Sequence, residues 1–227
     1  MGARRADALR QILRGVIFDL DGTLGDTLPV CYRAFARVFA RRLGREYGDA
    51  EIHAMFGPSE EGILARLCPD DPAAALDEYL AEYRLAHARC PQPFDGIPDL
   101  LQMLCDDGVE LAIVTGKGPR SARISLEAFG LASRFPVVEA GSAAGGVKPA
   151  AMRRVLAGWG LAPGEVAAVG DSPSDVRAAK EVGITSIAAA WAQGAARDRL
   201  AASQPDHLFD SVPALRAWLA ERMPRAR

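Results

Sequence analysis

A chain of 227 residues is long enough for one large domain, or for one domain that carries a smaller insert. Its 49% hydrophobic and 25% charged residues are ordinary for a globular protein, and a net charge of −2 argues against nucleic acid or an anionic membrane as a partner. The four cysteines form no C-x-x-C pair, which argues against zinc and a disulfide framework. The N-terminal segment MGARRADALRQILRG lacks the apolar stretch of a signal peptide, and no apolar run approaches the roughly 18 residues of a membrane span. The expected compartment is therefore the cytoplasm.

Short apolar runs bounded by glycine or aspartate recur along the chain. Runs this short, apolar on both faces, are typical of buried parallel strands. They predict strands at residues 16–18, 111–114, 137–138, 166–169, 184–190 and 207–209. Amphipathic segments separate most of these runs and predict helices. Strands that alternate with helices indicate an α/β fold with a doubly wound, Rossmann-like parallel sheet.

One stretch, residues 26–93, interrupts this alternation. It has no convincing strand, but its apolar residues recur at helical spacing, as in Cys31, Phe35 and Phe39, or Leu76, Leu80 and Tyr83. We therefore predict an all-α helical cap domain at residues 26–93, inserted into a core of residues 1–25 and 94–227. The faces of the cap helices could pack internally or against a second copy, so a monomer and a homodimer remain open.

The first predicted strand ends at Asp19, and Asp21-Gly22 follows. In open α/β sheets, ligands bind beyond the carboxyl ends of the strands, so residues at this point are candidates for chemistry. Of two neighbouring carboxylates, one can attack phosphorus while the other handles the proton of the leaving oxygen. The alternative is a turn in which Asp and Gly were selected for backbone geometry.

Two further loops carry residues suited to holding a phosphoryl group. Thr115 and Gly116 follow the second predicted strand, where a hydroxyl and free backbone amides can bind phosphate oxygens. Lys148 precedes the Pro149 of a predicted helix and could neutralise charge on the phosphoryl group and the nucleophile. Taken singly, an ordinary turn and a surface lysine are the simpler interpretations.

The fourth loop, residues 170–175, ends another buried strand. An unpaired carboxylate at Asp171 would be costly there unless it met a cation, and oxygen ligands beside a phosphate suit Mg²⁺. Ser172 and Pro173 have the pattern of a helix start. Asp175 could therefore complete a capping box at that helix, or support the metal ligands from behind.

These four motifs, in this order, resemble the haloacid dehalogenase superfamily and specifically its phosphatases. The segment DLDGTLGDT, residues 19–27, is similar to the phosphoglycolate phosphatase-like branch, and the predicted helical insert matches the cap of that branch. The resemblance spans nearly the whole chain. It implies Mg²⁺-dependent hydrolysis of a small phosphorylated metabolite through an aspartyl-phosphate.

The resemblance also implies a role for each motif residue. Asp19 would be the nucleophile, and Asp21 would protonate the leaving alcohol and then activate water. Mg²⁺ would bind the carboxylates of Asp19 and Asp171 and the backbone carbonyl of Asp21. Thr115, Gly116 and Lys148 would hold the transferring phosphoryl group.

Within the predicted cap, the loop around Ser59 and Glu60 is a candidate for reaching the substrate. The alternative is a plain helix start, with Ser59 as N-cap and the acidic residues after it favouring the helix dipole.

Three other functions are alternatives to phosphomonoester hydrolysis. A phosphomutase of the same branch remains open, because the sequence does not reveal how the cap selects a substrate. A dehalogenase would need neither Asp21 as acid/base nor a metal site. A phospho-acceptor receiver domain would be about half this length and would lack the insert. The identity of the substrate is not readable from the sequence.

Overall fold

The computed structural model describes residues 12–224. Residues 1–11 and 225–227 lie outside the described residues. Residues 1–11 include the start of the predicted core and most of the N-terminal segment that lacks the pattern of a signal peptide. Within residues 12–224, no helix is both long and apolar enough to cross a membrane.

A parallel sheet forms the centre of the protein. All six predicted strand positions are confirmed, and the spatial order is β3-β2-β1-β4-β5-β6. The strands are β1 Gly15–Phe18, β2 Glu110–Val114, β3 Val137–Glu139, β4 Val166–Gly170, β5 Thr185–Ala189 and β6 His207–Phe209. In the central strand, Phe18 pairs with Ile113 on one side and Val169 on the other. The loops that follow β1, β2 and β4 therefore emerge side by side.

Ten α-helices accompany the strands in the described part of the chain. They are α1 Leu28–Leu43, α2 Asp49–His53, α3 Glu60–Leu67, α4 Pro72–His87, α5 Ile97–Asp106, α6 Pro119–Ala128, α7 Lys148–Trp159, α8 Pro173–Val182, α9 Arg197–Ala202 and α10 Val212–Ala220. The short helix α2 was not predicted, because its five residues contain a single buried apolar side chain, Ile52, and so show no periodicity.

Apolar residues of β1 alternate between two cores, one on each face of the sheet. Val16 and Phe18 pack with α5 and α10 on one face, whereas Ile17 packs with α7 and α8 on the other. Burial of both faces explains why the strand is a continuous apolar run. The doubly wound α/β fold is therefore confirmed.

The four helices α1 to α4 lie together and have a hydrophobic core of their own. That core includes Phe35, Phe39, Tyr79 and Tyr83, and one residue of α6, Ile124, joins it. Of the helix pairs in the described part of the chain, α1 and α4 have the most extensive contact. Helices are thus the only regular secondary structure that the structure describes in the predicted insert, and its boundaries at residues 26 and 93 stay predictions.

Candidate active site

Residues from four loops meet at the carboxyl edge of the sheet. Because β1 lies between β2 and β4, the side chains after these strands face one cavity of about 670 Å³. The cavity is lined by all the residues that the sequence assigns to chemistry or phosphate binding, Asp19, Asp21, Thr115, Gly116, Lys148 and Asp171. Helix α7 contributes Lys148 from its first position.

Asp19 is buried and forms an ion pair with Lys148. Its Oδ2 accepts a hydrogen bond from the Lys148 Nζ at 2.9 Å, while its Oδ1 has no hydrogen-bond partner among the described residues. Burial raises the pKa of Asp19 to about 6, although Lys148 opposes that shift. The unpartnered oxygen is therefore one that would gain from a second cation.

Lys148 lies between two carboxylates, since its Nζ also donates to Oδ1 of Asp175. Burial alone would lower the pKa of Lys148, but Asp175 and Asp19 outweigh it, so the net shift is upward. The two carboxylates therefore favour the charged form of the lysine.

Asp175 forms the capping box that the sequence offers as one of two roles, and it also contacts Lys148; support of metal ligands stays a prediction. Asp175 completes a capping box at the start of α8, where its Oδ2 accepts the Ser172 N–H at 3.1 Å and the Ser172 hydroxyl at 2.5 Å. Its Oδ1 meanwhile holds Lys148. One carboxylate thus fixes both the helix start and the direction of the lysine.

Three carboxylates form a cluster that fits a divalent cation. One oxygen each of Asp19, Asp171 and Asp175 lies within 4.8 Å of the others. Burial and the neighbouring carboxylates raise the pKa of Asp171 well above its usual range. An all-oxygen donor set of this charge suits Mg²⁺.

Gly22 keeps the first loop close to this cluster. Its φ of +75° lies in the left-handed region, and a Cβ at this position would fall 2.1 Å from Oδ2 of Asp171. Only glycine therefore permits the loop after β1 to approach the loop after β4 this closely.

The side chain of Asp21 is held by two donors on the same oxygen. Its Oδ1 accepts a hydrogen bond from the Thr27 hydroxyl and lies 3.3 Å from the Lys117 Nζ. Thr27 belongs to the turn that leads into α1. Because Asp21 lines the cavity, its other carboxylate oxygen, Oδ2, is the candidate to contact a ligand there.

The predicted phosphate-binding loop is braced from behind. The Thr115 Oγ1 accepts the backbone N–H of Lys117 at 3.2 Å, so its own proton remains available to a ligand. Gly141, in the loop after β3, packs against Gly116 so closely that a Cβ on Gly141 would lie 1.9 Å from the Gly116 carbonyl oxygen. A Cβ on Gly116, by contrast, would meet open space.

The cap loop reaches the cavity, but not as a plain helix start. Ser59 is the N-cap of α3, yet its side chain makes no capping bond, and its buried Oγ has no hydrogen-bond partner among the described residues. Its N–H instead donates to the Ser142 carbonyl of the core at 2.8 Å. Glu60 turns away from solvent and contacts Gly118 and Ser121 of the core. Both residues line the cavity.

One residue of the site, Lys117, has no role in the sequence interpretation. Its side chain is 1% exposed and lies between Asp21 and Glu60. Its position directly after Thr115-Gly116 was a signal in the sequence. A buried lysine and a surface lysine nevertheless look alike without knowledge of their partners.

Comparison with known proteins identifies similar chains. The family model described as haloacid dehalogenase-like hydrolase matches residues 16–189. The chain is 31% identical to a phosphoglycolate phosphatase of Xylella fastidiosa, over 87% of this chain and 89% of that protein. It is 28% identical to the pyrophosphatase PpaX of Halalkalibacterium halodurans, over 88% and 94%. Among solved structures, a haloacid dehalogenase-like hydrolase of Streptococcus pneumoniae, SP0104, matches with a TM-score of 0.72 and 29% identity, covering 91% of this chain and 98% of that one.

Proposed function

Because this chain belongs to the haloacid dehalogenase-like hydrolases, we propose that it hydrolyses small phosphomonoesters, with Asp19 as the nucleophile and Mg²⁺ as the cofactor. The observation that carries this proposal is the environment of Asp19. One of its oxygens is held by Lys148, and the other is buried without a partner among the described residues, beside Asp171. A carboxylate in this position is both oriented and in need of a cation.

The first step transfers the phosphoryl group to Asp19. A carboxylate oxygen of Asp19 attacks phosphorus, the bond from phosphorus to the ester oxygen breaks, and an aspartyl-phosphate forms. Lys148 neutralises charge that would otherwise repel the nucleophile from the phosphate. The Thr115 hydroxyl and the Gly116 amide bind the other phosphoryl oxygens, so that positioning and charge neutralisation provide most of the catalysis.

Asp21 handles the protons. It gives its proton to the leaving alkoxide in the first step, and in the second step it takes a proton from the water that hydrolyses the aspartyl-phosphate. The hydrogen bond from Thr27 orients the carboxylate for this exchange. Phosphate and the free alcohol are the products.

The carboxylates of Asp19 and Asp171, with the backbone carbonyl of Asp21, would hold the Mg²⁺. When bound, the ion supplies positive charge to the phosphoryl oxygens and the nucleophile. Asp175 lies in the same acidic cluster but is committed to Lys148 and Ser172, and so supports these ligands.

The size of the cavity and the similarity to the two relatives support the proposed substrate class, a small phosphorylated metabolite. The cavity extends past the phosphate-binding loop to apolar cap residues, which include Leu28, Phe35 and Ile63. It therefore has room for a small organic leaving group. A screen should contain phosphoglycolate, sugar phosphates and inorganic pyrophosphate, in view of the two relatives. The proposed compartment is the cytoplasm.

The test is release of inorganic phosphate by purified protein with Mg²⁺. Asp19→Asn should reduce turnover to the background rate, because a neutral amide is a poor nucleophile, while circular dichroism and the melting temperature show that the fold persists. Asp70→Asn, which makes the same chemical change on an exposed turn of the cap, should keep wild-type turnover. Wild-type turnover by Asp19→Asn would contradict the mechanism.

A phosphomutase would give a different product. Incubated with a sugar monophosphate and a trace of the corresponding bisphosphate, a mutase moves the phosphoryl group within the sugar and releases little phosphate. The proposed hydrolase releases one phosphate for each monoester consumed.

A further inference from the structure

Lys117 is the most deeply buried cation of the site, and the mechanism above does not use it. Its Nζ lies 3.3 Å from Oδ1 of Asp21, 3.4 Å from Oε1 of Glu60 and 4.5 Å from the centre of the Tyr83 ring. It also lies 3.0 Å from Sγ of Cys31. Burial raises the pKa of Cys31 to about 12, so that partner is a neutral thiol, and the ion-pair partners of the ammonium are Asp21 and Glu60.

The second carboxylate, Glu60, comes from the cap but is bound by the core. Its Oε2 accepts the Gly118 N–H at 2.5 Å and its Oε1 accepts the Ser121 hydroxyl at 2.6 Å. These donors belong to the start of α6, where the helix dipole also favours an anion. Glu60 is 5% exposed, so its position requires that the cap lie against the core.

Lys117 therefore connects the cap to the side chain that handles the proton. Thr27 and Lys117 both hold Oδ1 of Asp21, and two donors on one oxygen orient the whole carboxylate. We propose that Lys117 is a positioning residue that directs Oδ2 of Asp21 toward the leaving oxygen, and that Glu60 keeps Lys117 in place when the cap is seated. This inference rests on the proposed function of Asp21 as the general acid.

A purely structural ion cluster would have the same distances, so the test must detect the position of the acid itself. Protonation by a general acid greatly accelerates the departure of a strongly basic alkoxide, but it has little effect on the departure of a weakly basic phenolate. The experiment therefore compares kcat/KM for two substrates, an alkyl phosphate from the screen and p-nitrophenyl phosphate. A misplaced acid slows the first substrate selectively, whereas a loosened cap or core slows both.

Lys117→Met keeps much of the side-chain length and removes the charge. We expect kcat/KM for the alkyl phosphate to fall by about 30- to 100-fold and that for p-nitrophenyl phosphate by about threefold or less, because a misplaced acid loses only part of the roughly 10²- to 10⁴-fold that general acid catalysis contributes. Glu60→Gln should shift the ratio in the same direction by a smaller factor, and it keeps the answer accessible if Lys117→Met fails to fold.

The matched control is Arg120→Met. Arg120 forms a surface ion pair across the same two units, from α6 to Asp77 of α4 at 2.7 Å, but does not contact Asp21. It should leave the ratio of the two substrates unchanged. A parallel loss of both activities in Lys117→Met, or an unchanged ratio in Glu60→Gln, would overturn the inference while leaving the proposed function intact. No phosphate release by the wild-type protein would overturn the proposed function and this inference with it.

Discussion

Two buried lysines at the same edge of the sheet, Lys148 and Lys117, each lie between two carboxylates. The partners of Lys148 both belong to the core: Asp19 follows β1, and Asp175 lies in the first turn of α8. The partners of Lys117 are Asp21 and Glu60, and Glu60 is the first residue of a cap helix. The first centre is thus complete within the core, whereas the second requires the cap to be seated. Under the proposed mechanism, charge neutralisation by Lys148 therefore does not require the cap, whereas orientation of Asp21 does.

The largest expected effect is on the core centre. Lys148→Met should lower kcat by on the order of 10³-fold for alkyl and aryl phosphates alike, because both esters share the phosphoryl charge that Lys148 neutralises. Steady-state kinetics on the two substrates would check this. A loss that depended on the leaving group, as expected for Lys117→Met, would remove the distinction between the two lysines.

A smaller effect, on the free energy of unfolding, distinguishes the Lys148 and Lys117 centres by the response of the protein to Mg²⁺. Mg²⁺ at about 100 times its Kd should stabilise the wild-type protein and Lys117→Met by about 2.7 kcal/mol, but Asp171→Asn far less, because Asp171 is a proposed metal ligand and Lys117 is not. Thermal melts in MgCl₂, with NaCl of equal ionic strength as the control, provide the measurement. An equal response of Asp171→Asn would place the metal elsewhere.

The metal response should also increase with pH. The pKa of Asp19 is raised, to about 6, so the folded protein binds this proton more tightly than the unfolded chain does. The contribution of Asp19 to stability is therefore present at low pH and is lost as the pH rises through about 6. Mg²⁺ competes with that proton, so its stabilising effect should be larger at pH 8 than at pH 5.

The smallest effect concerns the contact between cap and core near Lys117. Nε2 of His87, at the end of α4, lies 3.1 Å from Oγ of Ser125 in α6, and burial lowers the pKa of His87. As the pH decreases below about 6.5, His87 is protonated in the unfolded chain before it is protonated in the folded protein. The free energy of unfolding should therefore decrease as the pH decreases, by at most about 1.4 kcal/mol per pH unit. Urea denaturation between pH 7.5 and 5.5 with saturating Mg²⁺ would measure the slope. His87→Gln should flatten it, and an unchanged slope would rule out His87 as the group responsible.

Much of this protein is determined by local sequence. The four inner strands were predictable because burial on both faces makes each one a short apolar run, and β1, with Val16, Ile17 and Phe18 divided between two cores, is the clearest case. The edge strands β3 and β6 are only partly buried, and their short apolar runs were the signal. Since parallel strands end at one edge of a sheet, the loops that carry Asp19, Thr115 and Asp171 were also expected to meet, and they do.

Only the tertiary structure decided which charged residues act together. Asp175 both caps α8 and holds Lys148, a combination that its position in the motif left open. Glu60 looked like one more acidic residue at a helix start, but its partners Lys117 and Ser121 lie 57 and 61 residues further along the chain. The physical reason is that burial of a charge depends on partners brought by folding, and no local pattern of residues records which partners those are.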